Sequence, residues 1–120
     1  MEIQLQTRQE AGAQVVAISG DVELHSAASL RQELQRICGQ PHAHCIVDMS
    51  EVPFIDSTGV GVLVGALKRA HEQGGTLTIL APQPRVRRVF EITGLLDSLI
   101  IHESLQAATG DQRQAQKVER

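Results

Sequence analysis

Short apolar runs alternate with stretches of helical periodicity along most of this 120-residue chain, and this alternation restricts the fold more than any other feature. The clearest apolar runs are residues 14–19, 45–49 and 76–80, while residues 27–37 and 60–67 place apolar side chains at helical spacing. Strands separated by helices need crossover connections. The sequence therefore predicts βα units, a largely parallel sheet and right-handed crossovers.

The amino-terminal part of the chain shows a different pattern. Residues 3–9 and 14–19 read as two short strands on either side of the turn-prone stretch 10–13. A connection this short favours an antiparallel pair, because parallel neighbours need a crossover of a dozen or more residues. The sheet is therefore expected to be mixed, with a last short strand over residues 98–101.

Capping residues, glycines and prolines mark the expected helix boundaries. Ser26 is expected to cap a first helix whose apolar face includes Leu30 and Leu34. A second helix begins near Ser57, and Pro84 stands at the start of a short third helix. The predicted stop signals are Gly39 and Pro41 after the first helix, Gly74 and Gly75 after the second, and Gly94 after the third.

A single domain accounts for this length and composition. With 42% hydrophobic and 21% charged residues the chain has the balance of an ordinary globular domain, which we place at residues 1–109. Residues 110–120 carry one apolar side chain larger than alanine, Val118, so we expect a flexible carboxyl-terminal tail there.

Charge and aromatic content argue against several classes of function. The formal net charge is −3 and two phenylalanines are the only aromatic residues, so no nucleic-acid partner is expected. An acidic chain without a long apolar run is not expected to bind or span a membrane. Cys38 and Cys45 are too few for a disulfide framework, and the first residues lack the features of a signal peptide. The expected location is therefore the cytoplasm.

Residues 54–61, Phe-Ile-Asp-Ser-Thr-Gly-Val-Gly, are the most informative for function. They lie where the loop after a buried strand enters a helix, at the end of an α/β sheet where ligands and partners usually bind. A helix start offers unpaired backbone N–H groups and the positive end of the helix dipole, which together accept an anion. Ser57 and Thr58 are therefore candidate acceptors of a phosphate that the helix itself would stabilise.

A structural role for the same residues is the alternative. Asp56 or Ser57 as an N-cap would stabilise the helix by about 1 kcal/mol. The glycines at 59, 61 and 65 do not have the spacing of a dinucleotide-binding motif or a P-loop. They are expected instead to let the helix approach the sheet closely.

Other combinations of reactive side chains are incomplete. His42, His44 and Cys45 carry donor atoms, but a strand points Cys45 away from the histidines, so neither a metal site nor a cofactor is predicted. No nucleophile elbow surrounds Ser57 and nothing places a base near it, so the protein is not expected to be an enzyme. The third helix carries three basic residues, Arg85, Arg87 and Arg88. We interpret them as a solvated face, and a contact with a partner is the alternative.

Three passages occur in an order that resembles a known family. They are Ile-Val-Asp-Met at 46–49 continuing through 52–63, the acidic step Gly-Asp-Val-Glu at 20–23, and Arg-Arg-Val-Phe-Glu-Ile-Thr-Gly-Leu at 87–95. Together they resemble the STAS domain, as found in bacterial anti-sigma factor antagonists, over residues 3–103. The resemblance implies a single-domain α/β fold: a mixed sheet with an amino-terminal antiparallel pair, βα units and helices packed mainly on one face.

The resemblance also implies a partner switch in bacterial signalling that regulates transcription. In such proteins a serine-kinase anti-sigma factor phosphorylates the serine after the aspartate, and the matching residue is Ser57, with Thr58 left open as a second acceptor. The unphosphorylated protein would bind the kinase and free a sigma factor, whereas the phosphoprotein would release the kinase. A serine phosphatase would reset the switch, and ATP would belong to the kinase.

The partner-binding surface implied by the resemblance surrounds the start of the second helix. The second helix, the loop 20–25 and residues 48–54 are expected to line it, because they converge on the same end of the sheet. Its expected residues are Asp21, Glu23, Asp56, Ser57, Thr58, Gly59, Val60 and Gly61. Asp21 and Glu23 could meet basic groups of a kinase; the alternative is that they simply lie in an exposed turn. The sequence departs from the family at Leu24, His25 and the β-branched Thr58, which leaves the partner's identity open. A constitutive interaction subunit of a transport or signalling complex, without phosphorylation of Ser57, also stays open.

Overall fold

The computed structural model describes residues 3–110, which form five strands and four helices. In chain order these are β1 Gln4–Glu10, β2 Ala13–Ser19, α1 Ala27–Cys38, β3 His44–Glu51, α2 Ser57–Glu72, β4 Thr76–Leu80, α3 Pro84–Ile92, β5 Ile100–His102 and α4 Leu105–Thr109. None of these helices combines the length and apolar character that crossing a membrane requires. The predicted tail, apart from Gly110, lies outside the described residues.

The five strands form one mixed sheet in the order β1-β2-β3-β4-β5. β1 and β2 pair antiparallel through a tight turn in which Ala11 and Gly12 have φ values of 49° and 83°. Two successive residues at positive φ match the right-handed twist of the strands that they join. The remaining pairs are parallel, each with a helix in its connection, so the predicted mixed α/β sheet is confirmed.

The helices cover the two faces of the sheet unequally. α1, α2 and α3 contribute to the larger core, which includes Leu34, Leu63 and Phe90 packed against alternate residues of the strands. α4 contributes Ala108 to a smaller cluster on the opposite face, with Ile46 of β3. The expected arrangement, with helices mainly on one face, is confirmed.

Two details at the end of the domain differ from the prediction. β5 begins at Ile100 rather than at residue 98, because the Ser98 N–H donates to the Leu95 carbonyl, 2.9 Å away, in the turn that follows α3. α4 has no counterpart among the predicted elements, since five residues are too few to show helical periodicity. Its local signal is Ser104, whose hydroxyl accepts a hydrogen bond from the Ala107 N–H at 3.1 Å.

Ser26 occupies the predicted position before α1 but does not cap the helix with its side chain. Its hydroxyl donates to the Asp21 carbonyl at 2.7 Å and accepts from the Glu23 N–H at 3.0 Å. Ser26 is buried and therefore stabilises the loop between β2 and α1 rather than the helix start. The prediction that Ser26 caps α1 through its side chain was wrong. The Ser26 hydroxyl instead fixes a loop that borders the candidate site.

Candidate functional site

The loop that enters α2 lies beside the loop that leaves β2. Val22 and Ile55 form an isolated parallel bridge. In it the Val22 N–H donates to the Phe54 carbonyl at 2.9 Å, and the Asp56 N–H donates to the Val22 carbonyl at 3.1 Å. This bridge brings the two loops together beyond the carboxyl ends of β2 and β3, the end of a parallel sheet where ligands bind.

We call residues 20–25 and 54–61 the entry surface, since they surround the start of α2. Asp56 joins its two halves. Its Oδ1 accepts from the Gly59 N–H and its Oδ2 accepts from the Leu24 N–H, each at 3.0 Å. The first bond caps α2 and the second holds the neighbouring loop against the helix start. The cap is therefore Asp56 and not Ser57, which removes one of the two capping assignments that the sequence allowed.

Ser57 is the first residue of α2 and is exposed, whereas Thr58 is half-buried. Within residues 3–110 the Ser57 hydroxyl makes no hydrogen bond, so it is chemically uncommitted. Asp56 already accepts from the N–H groups of Gly59 and, through its carbonyl, Val60. The N–H groups of Ser57 and Thr58 are thus left for an anion at this helix start.

Close packing lies directly beneath this surface. A Cβ added at Gly59 would stand 2.7 Å from Ile55 Cγ1, 2.8 Å from Val22 Cγ1 and 2.9 Å from the Val22 carbonyl oxygen, so only glycine fits. Gly61 and Gly65 are exposed, with nothing within 4 Å of an added Cβ. The expected close approach is therefore confirmed at Gly59 and wrong at the other two, which lie on the solvent side of α2.

The entry surface contains an acidic cleft of about 440 Å³, lined by Asp21, Glu23, His25, Phe54 and Asp56. Asp21 is exposed, and Glu23 Oε1 accepts from the His25 N–H at 3.1 Å. Neither acid forms an ion pair within the described part of the chain. The cleft therefore has a negative potential that attracts cationic side chains.

The residues predicted to bind a partner lie together on the entry surface, but their side chains are not equally available. Val60 is 9% exposed and belongs to the core, and Gly59 is also buried. These two residues shape the surface from below. Exposed Leu24 and Phe54 lie in the two loops, residues 20–25 and 48–54, that the sequence predicted to line the docking face, although neither was singled out as a binding residue.

The other groups considered in the sequence lie elsewhere. His44 Nδ1 is 2.9 Å from Thr76 Oγ1, while Cys45 belongs to the core on the other face of β3 with Cys38. No group of three or more potential metal ligands occurs among residues 3–110. On α3, Arg87 forms an ion pair with Glu103, with 3.3 Å between Nη1 and Oε2.

Comparison with known proteins identifies the family, since the pattern that defines the STAS domain matches residues 3–108. The chain belongs to the STAS domain family. A curated relative of this STAS domain is the anti-sigma-B factor antagonist of Bacillus subtilis (strain 168), which is 36% identical over 101 residues, or 84% of this chain and 92% of the relative.

Solved structures of STAS proteins share the fold. An anti-sigma factor antagonist from Mycobacterium paratuberculosis superposes with a TM-score of 0.78 at 25% identity, covering 88% of this chain and 90% of that chain. The anti-sigma factor antagonist SpoIIAA in its unphosphorylated form gives a TM-score of 0.73 at 24% identity over 87% of this chain and 92% of its own. At that identity the second likeness concerns the fold alone.

Proposed function

We propose that this STAS domain is an anti-sigma factor antagonist whose partner binding is controlled by phosphorylation of Ser57. The observation that carries the proposal is the exposed, uncommitted hydroxyl at the first residue of α2, beside an acidic cleft. The 36% identical relative, which carries the name of an anti-sigma factor antagonist, supports the same assignment. The protein then acts by binding, and it is the substrate of a kinase rather than an enzyme itself.

In the unphosphorylated state the entry surface binds a serine-kinase anti-sigma factor, which frees a sigma factor. Asp21 and Glu23 are suited to meet basic side chains of the kinase, since neither acid is neutralised by an ion pair within residues 3–110. Docking here would place the Ser57 hydroxyl within the interface. The kinase holds ATP and therefore phosphorylates the residue on which its own binding depends.

Phosphorylation of Ser57 adds about −1.5 to −2 charges at neutral pH. In the free protein, the dipole of α2 and the N–H groups of Ser57 and Thr58 stabilise the phosphate without unfolding the domain. In the complex the same phosphate would lie beside Asp56 as a desolvated dianion, and the basic side chains of the kinase would be paired with Asp21 and Glu23 rather than with it. A hundredfold to ten-thousandfold loss of affinity requires only about 3–5 kcal/mol. A serine phosphatase then restores binding.

The test is a pull-down from lysate of the native organism with wild-type, Ser57→Ala and Ser57→Asp baits. Mass spectrometry identifies the captured proteins and the phosphorylated residues of the bait. We expect the wild type and Ser57→Ala to capture a serine kinase that Ser57→Asp loses, with phosphate on Ser57. Exposed Ser98 lies outside the entry surface, so Ser98→Asp controls for added charge and should capture the kinase.

Two further results would decide against the proposal. If all baits capture the same transport or scaffold subunits and Ser57 is never modified, the domain is a constitutive interaction module with Asp56 as a simple cap. If the purified kinase phosphorylates Ser57→Ala as fast as the wild type, but not Thr58→Ala, the acceptor is Thr58.

A further inference from the structure

Three large apolar side chains are exposed in the described part of the chain: Leu24 at 65%, Phe54 at 41% and Ile92 at 73%. Leu24 and Phe54 belong to the two loops that the Val22–Ile55 bridge joins, whereas Ile92 ends α3. Neither loop residue belongs to a core cluster of residues 3–110. Large apolar side chains left exposed within a polar surface indicate a binding surface.

The loop that carries Leu24 is held rigid by hydrogen bonds on both sides. The Leu24 N–H donates to Asp56 Oδ2 at 3.0 Å, and the His25 N–H donates to Glu23 Oε1 at 3.1 Å. The buried Ser26 hydroxyl binds the backbone of the same loop. Leu24 is therefore presented to solvent from a preorganised loop, which lowers the entropy lost when a partner orders it.

Phe54 occupies the facing loop and lines the acidic cleft with Asp21 and Glu23. Its carbonyl is fixed by the Val22 N–H at 2.9 Å, so its backbone position is set by the same bridge. An aromatic ring beside carboxylates offers a face to an aliphatic stem or a guanidinium group. Aromatic residues at the centre of an interface also carry a large share of its binding energy.

We propose that Leu24 and Phe54 are the apolar anchor by which this protein recognises its partner. The occupant is an apolar patch of the kinase flanked by lysine or arginine side chains, so the inference rests on the proposed function. Charge complementarity favours this occupant, since Asp21 and Glu23 border the anchor without an ion pair in the described chain. A second copy of this chain docked symmetrically would set like charges against each other.

The position of the anchor also bears on the switch. Asp56 binds the Leu24 N–H directly and precedes Ser57, so a phosphate on Ser57 lies next to the contact region of Leu24. An apolar contact loses affinity when a dianion is desolvated beside it. Recognition and its control are thus placed within one surface.

The test measures the affinity of the purified kinase, identified by its loss with Ser57→Asp, for variants of the full chain by titration calorimetry. Leu24→Ser and Phe54→Ser are each expected to weaken binding about tenfold or more, as hot-spot truncations do. Leu24→Met, which keeps the apolar contact, should stay within about threefold of the wild type. The control is Ile92→Ser, which replaces an aliphatic side chain of the same size as Leu24 at a site that is 73% exposed, against 65% for Leu24, with less than about twofold effect.

The outcomes separate this inference from the proposed function. If Leu24→Ser and Phe54→Ser bind as tightly as the wild type while Ser57→Asp still fails, the anchor is wrong and the switch stands. If the wild type binds no serine kinase, both the apolar anchor and the proposed function are wrong. Asp21→Asn with Glu23→Gln should slow association and reduce its salt dependence. Unchanged association kinetics would overturn the assignment of lysine or arginine side chains to the partner. Thermal unfolding curves that match the wild type verify that every variant is folded.

Discussion

The two ends of the parallel strands are built from the same βα connections but have opposite character. At the carboxyl end, the entry surface exposes Ser57, Leu24 and Phe54 around the start of α2. At the amino end, where β3 and β4 begin, His44 and Thr76 are buried and hydrogen-bonded to each other. One end of the sheet is therefore closed by packing, whereas the other exposes side chains to solvent.

The amino end is closed around groups that have little freedom to react. Cys38 and Cys45 are free thiols, and both are buried. The neighbouring Cys38 thiol, which favours the protonated form of Cys45, and burial together raise the pKa of the Cys45 thiol well above its ordinary value. Cys45 therefore stays a neutral thiol at physiological pH, which makes it a poor nucleophile. No comparable enclosure surrounds the Ser57 hydroxyl within the described residues.

The largest effect is expected at the closed end, from Gly75→Ala. An added Cβ would overlap the Ala43 carbonyl oxygen and lie 2.9 Å from the Ala43 nitrogen, and backbone atoms cannot move aside easily. We expect a loss of about 3 kcal/mol in the free energy of unfolding, measured in urea. Exposed Gly65 is the control, because Gly65→Ala meets nothing within 4 Å and should gain up to about 1 kcal/mol in a helix. Equal stability of the two variants would contradict the packing of the closed end.

Gly59→Ala tests whether the open end is equally tight beneath its surface. The added Cβ meets mainly the side chains of Ile55 and Val22, and side chains yield more readily than the Ala43 backbone, so we expect a smaller loss of about 2 kcal/mol. The measurement is again urea unfolding, with kinase binding as a second readout. An unchanged free energy of unfolding would show that the start of α2 is loosely packed. The carboxyl end would then be less tightly packed than the amino end in the core as well as at the surface.

Asp56→Ala should destabilise the domain by about 1–2 kcal/mol, because it removes the cap of α2 and the bond to the neighbouring loop. Amide hydrogen exchange is the more specific measurement, since the N–H groups of Leu24 and Gly59 should both exchange faster in the variant. Asp56→Asn, which keeps an acceptor oxygen, should cap α2 more nearly like the wild type. Faster exchange at Gly59 alone would mean that Asp56 does not hold the loop.

The smallest effect is a pH dependence at the closed end. Burial, with a further contribution from the charge of His42, lowers the pKa of His44 below its reference value of 6.5. The unfolded chain therefore binds a proton more readily than the native protein, so stability is full above about pH 6.5 and falls as the pH decreases. Urea unfolding between pH 8 and pH 5.5 should show this decrease, and His44→Gln should reduce it. An identical slope in the variant would assign the dependence to other groups.

Much of this fold could be predicted because its signals are local. The alternation of apolar runs and helical stretches, the turn before Ala13 and the prolines before α3 each act over a few residues. α4 could not be predicted in this way, since Ala108 is held in place by the strand residues beneath it. The capping role of Ser26 was also wrong, because the choice between the helix and Asp21 depends on a loop folded back beside it.

For the candidate site, the motif located the entry surface but not the availability of its side chains. Ser57, Thr58 and Val60 follow one another closely in sequence, yet they are exposed, half-buried and buried in turn. The helix rotates successive residues by about 100°, and only the direction of the core decides which face is covered. Leu24 lies in a loop predicted to line the docking face, but its exposure belongs to a loop that is held by a hydrogen bond from its N–H to Asp56, 32 residues away.

The sequence by itself determined the order of the elements up to β5, the mixed sheet and the position of a hydroxyl pair at a helix start. These follow from periodicity and capping chemistry, which act between neighbours along the chain. Tertiary structure alone decided that Asp56 is the cap that joins two loops, that only Gly59 among the glycines 59, 61 and 65 is packed closely, and that Leu24 faces solvent. The physical reason is that burial and long-range hydrogen bonds are set by segments distant in sequence, which no local pattern records.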